Sequence, residues 1–78
     1  MPRLVFLGPA REAAGTRHDV IDADTVAAVL DEAKVRYGRA FEEIVAVSQI
    51  WVNGEVVSFD TPVGPYDEIA VLPPVSGG

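Results

Sequence analysis

The sequence ends on PPVSGG, residues 73–78, where the group that could do chemistry is the α-carboxylate of Gly78. Gly77 and Gly78 have no Cβ, so a narrow channel can admit them and their backbone can approach a bound ligand closely. A carboxylate resists nucleophiles at neutral pH, but adenylation with ATP turns it into an acyl donor. These residues therefore predict a substrate for another protein, while a terminal Gly-Gly alone is also typical of a frayed chain end.

Pro73 and Pro74 separate the glycines from the last predicted strand. Proline has no amide hydrogen, so two in succession end a strand and hold the chain extended without a partner. Six extended residues reach up to about 20 Å, which is enough to enter the active site of another protein. The chain is therefore predicted to comprise a folded domain, residues 1–72, and a flexible extended tail, residues 73–78.

Five short runs predict the strands that position this tail, and all but RHDVI are mostly apolar and adjoin a glycine, proline or asparagine. They are residues 3–7, 17–21, 49–52, 55–57 and 68–72. The first two are joined by GPAREAAGT and are predicted to form an opening hairpin, and Asn53-Gly54 suits a tight hairpin turn between the third and fourth.

A change to helical spacing predicts one main helix in the middle of the chain. Asp24 or Thr25 is placed to cap its start, and Gly38 is placed to end it. A short second helix is predicted around residues 40–44. The order β-β-α-β-β predicts an α+β fold of the ubiquitin-like, or β-grasp, type, with a mixed sheet packed on one main helix.

The strand sequences also predict a binding surface. A sheet covered by helix on one face should alternate apolar and polar residues, yet LVFL, IWV and IAVL are apolar at both parities. Some of these side chains must therefore point away from the helix, and they belong to the set Val5, Phe6, Leu7, Trp51, Ala70 and Leu72. Such a patch is typical of a protein-binding surface, unless loops or a second copy of the chain cover it.

Composition limits the partners and the chemistry. The formal charge is −6, which disfavours nucleic acid as a partner and favours a protein with a basic surface. The alternative is that this charge only keeps the domain soluble. There is no cysteine, so no thiol or persulfide can form on the chain, and the single His18 has no second ligand nearby for a metal. The longest N-terminal apolar run has four residues and no stretch matches a membrane span, so the expected location is the cytoplasm, away from the membrane.

Three stretches of this sequence resemble the ubiquitin-like sulfur carriers, the family that includes the small subunits of molybdopterin synthase and the thiazole-pathway carrier. They are VFLGPAREAAGT at residues 5–16, TVAAVLDEA at residues 25–33, and VNGEVVSFDTPVGPYDEIAVLPPVSGG at residues 52–78. The terminal LPPVSGG is the most specific of these, since its double proline favours the molybdopterin branch over the thiazole carrier.

The resemblance implies a reaction cycle and a set of functional residues. A ubiquitin-activating-like adenylyltransferase would use ATP to adenylate Gly78, and a sulfur donor would convert it to a thiocarboxylate. A large catalytic subunit would then pass the sulfur to a pyranopterin precursor of the molybdenum cofactor. Residues Pro73, Pro74, Val75, Ser76 and Gly77 would thread into the partners, and Phe6, Arg11 and Leu72 would bind them.

In this interpretation the chain is no enzyme by itself and binds no cofactor or metal, but works in a hetero-oligomer. Other readings remain open: a carrier for cysteine or thiamin synthesis, a protein modifier attached to lysines through Gly78, or an interaction domain with an inert tail.

Overall fold

The computed structural model describes residues 1–74. Its elements, in chain order, are β1 (Arg3–Phe6), α1 (Pro9–Ala14), β2 (His18–Val20), α2 (Val26–Tyr37), α3 (Arg39–Val47), β3 (Gln49–Val52), β4 (Glu55–Val56) and β5 (Glu68–Leu72). All five predicted strands are present, β3 and β5 with the predicted bounds and the other three shorter by one or two residues.

The strands form one mixed sheet in the order β2-β1-β5-β3-β4. β1 and β5 pair in parallel at its centre, and the remaining neighbours are antiparallel. The helices cover one face, which confirms the predicted α+β, β-grasp architecture. The first and last long strands therefore lie side by side although most of the chain separates them.

The main helix, α2, begins and ends as its sequence predicts. The Thr25 hydroxyl accepts a hydrogen bond from the amide of Ala28 at 3.1 Å, so Thr25 rather than Asp24 caps the first turn. At the other end the amide of Gly38 donates to the carbonyl of Lys34 at 2.9 Å. The predicted second helix, α3, extends beyond residues 40–44, because Phe41 and Val45 bury one face of it against the core.

The predicted pairing of β1 with β2 is confirmed, but the segment that joins them contains a helix, α1, which the sequence did not predict. Pro9 lies in its first turn, where a missing amide hydrogen costs nothing, and Gly15 ends it in the left-handed region at φ 73°. The helix has six residues, and Ala10 is the one of them that is buried. One buried position in so short a helix gives no periodic signal for sequence analysis to detect.

The core lies between the sheet and the helices. Alternate residues of the strands point into it, including Leu4 and Phe6 of β1, and they meet the buried side chains of α2 and α3. The ring of Phe6 contacts Tyr37 and Phe41 edge-on, with ring centroids 5.4 Å apart in both pairs. This aromatic cluster joins β1 to both long helices.

The tight turn at Asn53-Gly54 is confirmed, with φ of 50° and 85° at the two residues. It also braces the start of β5, because the Asn53 side chain donates to Asp67 and accepts from the amide of Glu68. Hydrogen bonds from the Gly64 amide and from Asn53 lower the pKa of Asp67. The last part of the loop before β5, residues 64–67, is therefore held by side-chain hydrogen bonds.

Candidate functional site

The parallel pairing of β1 and β5 defines the end of the sheet at which the C-terminal segment begins. Both strands end there, and the amide of Leu7, which follows β1, donates to the carbonyl of Val71 in β5 at 3.3 Å. After Leu72, Pro73 is buried and Pro74 is exposed. We call this the tail end of the sheet.

Of the predicted threading residues, Pro73 and Pro74 are described by the structure. Val75, Ser76, Gly77 and the predicted reactive residue Gly78 lie outside the described residues. What the structure gives is the surface around the start of that segment.

The sheet face opposite the helices carries apolar side chains, as the sequence predicts. Leu7 is 40% and Leu72 is 36% exposed, and both line an open hollow with the half-buried Trp51 and Ala70. We call these four residues the open-face patch. It reaches the tail end of the sheet through Leu7 and Leu72, so a partner that binds this patch also meets the start of the C-terminal segment.

Phe6 does not belong to this surface, and its prediction as a partner-binding residue was wrong. Its side chain is 1% exposed and packs against Tyr37 and Phe41. Strand residues alternate between faces, so Phe6 points into the core while Leu7 points away from it. The run LVFL is apolar at both parities, so the sequence alone could not assign the two faces.

A second hollow at the tail end was not predicted. Val47 at the end of α3 and Gln49 at the start of β3 line it together with Leu72, Pro73 and Pro74. Val47 is 64% exposed although it ends an apolar helix. The sequence could have indicated this hollow only if the end of α3 had been predicted at Val47, because that end places the valine beside the two prolines.

Arg11 lies exposed on α1, directly after β1. It lines two further hollows, each shared with Arg17 and His18. Arg17 immediately precedes β2, which runs antiparallel to β1, so Arg17 lies at the tail end of the sheet as well. The structure thus brings together two arginines that are six positions apart.

A network of polar groups stabilises the sheet on its helical side, away from these hollows. The Tyr37 hydroxyl donates to Asp19, and Arg36 donates to the same carboxylate at 3.0 Å. Burial and the hydrogen bond to Asp19 raise the pKa of Tyr37 to about 12. Burial works to raise the pKa of Asp19, but the hydrogen bonds from Tyr37, Val20 and Arg36 outweigh it and lower that pKa.

Within residues 1–74, no three histidine, cysteine or acidic side chains come together as metal ligands would. In the same part of the chain, no helix has the length and apolar character needed to cross a membrane.

Known proteins resemble this chain over nearly its whole length. Residues 4–78 match the ThiS family. The molybdopterin synthase sulfur carrier subunit of Escherichia coli (strain K12) is 35% identical over an 83-residue alignment that covers 100% of both chains.

Two solved structures show the same fold at lower identity. The small archaeal modifier protein 1 of Methanosarcina acetivorans has a TM-score of 0.87 and 26% identity, covering 99% of this chain and 95% of that one. The second is a protein-protein complex of subunits 1 and 2 of the molybdopterin-converting factor of Helicobacter pylori. One chain of that complex matches with a TM-score of 0.71 and 27% identity, covering 99% of this chain and 97% of that one. From the match over residues 4–78 and the full-length relative, the chain belongs to the ThiS family of small, ubiquitin-like sulfur carriers.

Proposed function

We propose that this protein is the small subunit of a molybdopterin synthase and carries sulfur as a thiocarboxylate on Gly78. The observation that carries this proposal is the geometry of the tail end of the sheet. There β5 leads through Pro73 and Pro74 toward the two terminal glycines, beside an apolar face that no described helix covers. The 35% identity to a molybdopterin synthase sulfur carrier subunit supports the choice of acceptor.

The chemistry takes place at one carbonyl carbon. An oxygen of the Gly78 carboxylate attacks the α-phosphorus of ATP, pyrophosphate leaves, and an acyl-adenylate forms. A donor at the oxidation level of sulfide then attacks the carbonyl carbon, AMP leaves, and the thiocarboxylate remains. After sulfur has passed to the pyranopterin precursor, water supplies the oxygen that restores the carboxylate.

The fold contributes by presenting the tail. Pro73, buried against the domain, holds the start of the segment, and residues 74–77 enter the active site of the partner. The open-face patch binds the large subunit, so that docking fixes where the tail enters. The structure of the Helicobacter pylori subunits in complex supports a hetero-oligomer for this chain too.

A second protein, a ubiquitin-activating-like adenylyltransferase, would supply the ATP site and the adenylation step. The carrier itself holds no ATP or other cofactor in this scheme, and the sulfurtransferase activity belongs to the complex. Because the cycle depends on ATP and a sulfide-level donor, the proposal includes a cytoplasmic location.

A protein modifier is the second candidate function, and the likeness to the small archaeal modifier protein favours it. In that case the adenylated Gly78 would be attacked by a lysine amine of a target protein, and an isopeptide bond would replace the thiocarboxylate. Covalent conjugates of the carrier in host cells would identify this function. A carrier for cysteine or thiamin synthesis would form the same thiocarboxylate but use a different acceptor.

Intact mass spectrometry tests the proposal. The carrier is incubated with ATP, the host's adenylyltransferase and sulfide, and a gain of about 16 Da localised to Gly78 is expected, since sulfur replaces one oxygen. A variant that lacks Gly78 is the matched control, and its mass should not increase. The charged carrier is then mixed with the host's large subunit and the pyranopterin precursor. Absence of the gain, with an adenylyltransferase that charges another carrier, would refute the proposal.

A further inference from the structure

The cations of this protein fall into two groups. Lys34, Arg36 and Arg39 all form ion pairs with acidic side chains, at distances from 3.0 to 3.9 Å. No ion pair within residues 1–74 involves Arg3, Arg11 or Arg17. In a chain of charge −6, the arginines without a partner in the described part therefore carry a local positive charge.

Arg11 and Arg17 concentrate this charge at the tail end of the sheet. They line the same two hollows, and Leu7 of the open-face patch lines one of them. The amide of Phe6 donates to the carbonyl of Arg17 at 2.9 Å, which holds Arg17 beside the end of β1. Among the described residues, Glu12 is the one acidic side chain that lines either hollow.

Arg3 lines only one of the two hollows that Arg11 and Arg17 share. It lies at the opposite end of β1, and its register partner across the parallel pair is Glu68, an acidic residue. Opposite charges in directly paired positions attract each other. The positive surface that lacks such compensation is therefore centred on Arg11 and Arg17, with His18 beside them.

We infer that Arg11 and Arg17 bind carboxylates of a protein partner, at the entrance through which that partner admits the tail. This inference rests on the proposed function, and it adds the charge of the partner's docking site. Charge complementarity supports it, because arginine is well suited to bidentate contacts with carboxylates. The positive surface is also continuous, through Leu7, with the apolar patch.

The position of the two arginines distinguishes carboxylates of the partner from the phosphates of ATP. Adenylation takes place at Gly78, and the six residues from 73 to 78 extend up to about 20 Å. Arg11 and Arg17 lie at the end of the sheet where this segment begins, separated from β5 by the end of β1. At this end of the sheet they are placed to contact the entrance of the partner's channel, while the nucleotide lies at its far end.

Neutralising both arginines tests the inference. The R11Q/R17Q variant is compared with the wild type and with K34Q/R39Q, which removes the same charge from the helical side. Binding to the host's large subunit and adenylyltransferase is measured by stopped-flow fluorescence at about 50 and 300 mM salt, since exposed charges act mainly on the association rate and are screened by salt. We expect an association rate about tenfold lower for R11Q/R17Q at low salt, with a weaker salt dependence, and near wild-type values for K34Q/R39Q.

Three results would overturn the inference. One is an unchanged association rate for R11Q/R17Q, another is an equal loss for K34Q/R39Q, and the third is normal binding with a raised KM for ATP, which would indicate a phosphate contact. Thiocarboxylation of the wild type is measured in parallel, so that failure of the proposed function is seen separately.

A probe that needs neither partner completes the test. Hexaglutamate peptide is titrated into the labelled carrier and followed by NMR, with hexalysine as the control peptide. Shifts are expected at the amides of Arg11, Arg17 and His18, and they should be absent in R11Q/R17Q. A carrier that shows no such shifts with millimolar hexaglutamate would contradict the inference, whatever the proposed function turns out to be.

Discussion

The open-face patch gives the sharpest prediction, because the structure replaces the residue that the sequence suggested. We expect the double variant L7A/L72A to bind the large subunit more weakly than the wild type does. In the free domain Leu7 keeps 40% and Leu72 keeps 36% of its surface exposed, and docking can cover these fractions. Phe6, by contrast, is 1% exposed and offers no surface to a partner.

The size of the effect follows from this exposure. Complete burial of a leucine side chain contributes about 1.5 to 3 kcal/mol, so covering somewhat more than a third of each gives about 1 to 2 kcal/mol for both. At about 1.4 kcal/mol per factor of ten, the dissociation constant of L7A/L72A should rise about 5- to 30-fold.

Isothermal titration calorimetry against the host's large subunit measures this change. Both leucines are also more than half buried in the free domain, so a melting curve first establishes that the variant is folded at the temperature of the titration. V35A is the matched control, since Val35 is 80% exposed but lies on α2, on the helical side of the sheet. An affinity for L7A/L72A equal to that of V35A would refute the assignment of this face as the docking surface.

The remaining predictions concern the core, a helix cap, the tail and pH. F6A should lose about 3 to 5 kcal/mol of unfolding free energy, which lowers Tm by at least about 12 °C in a scanning calorimeter, and an unchanged Tm would contradict the aromatic cluster. T25A should lose about 1 kcal/mol in urea denaturation, because its hydroxyl accepts from the first turn of α2, whereas T25S should stay close to the wild type. Removal of Gly78 should abolish thiocarboxylation in the mass assay while Tm stays within about 2 °C, since glycine has no side chain to bury; a larger shift would show that the tail contributes to the fold. Burial and the hydrogen bond to Asp19 raise the pKa of Tyr37 to about 12 in the folded protein. The contribution of neutral Tyr37 to the free energy of unfolding is therefore complete below the pKa of about 10 in the unfolded chain, and it is lost as pH rises through about 12. Y37F should lack that alkaline loss in denaturant titrations, and a wild-type alkaline profile in Y37F would assign the loss to another group.

The sequence predicted those parts of the molecule that depend on local chemistry. The cap at Thr25, the turn at Asn53-Gly54 and the bounds of β5 are confirmed because capping, left-handed turns and strand-ending prolines act within a few residues. Helix α1 was missed for a local reason as well, since six residues with one buried alanine carry no periodicity.

Which face each strand residue occupies was decided by tertiary structure. Phe6 and Leu7 are adjacent and both apolar, so composition gives no reason to prefer one for the core. Pairing of β1 with β5 and packing of the Phe6 ring on Tyr37 and Phe41 make that choice. A shift of one residue in this register would exchange the docking residue and the core residue.

The charges around the tail end of the sheet also depended on tertiary structure. From the sequence, a net charge of −6 favours a basic partner, and the counts of acidic and basic residues determine nothing more. Folding pairs Lys34, Arg36 and Arg39 with acids on the helical side, and it leaves Arg11 and Arg17 together at the tail end of the sheet. The sequence by itself determined the Gly-Gly terminus and the elements that lead to it. The tertiary structure decided which charges and apolar groups surround the start of that segment, because those neighbours come from strands and helices distant in the chain.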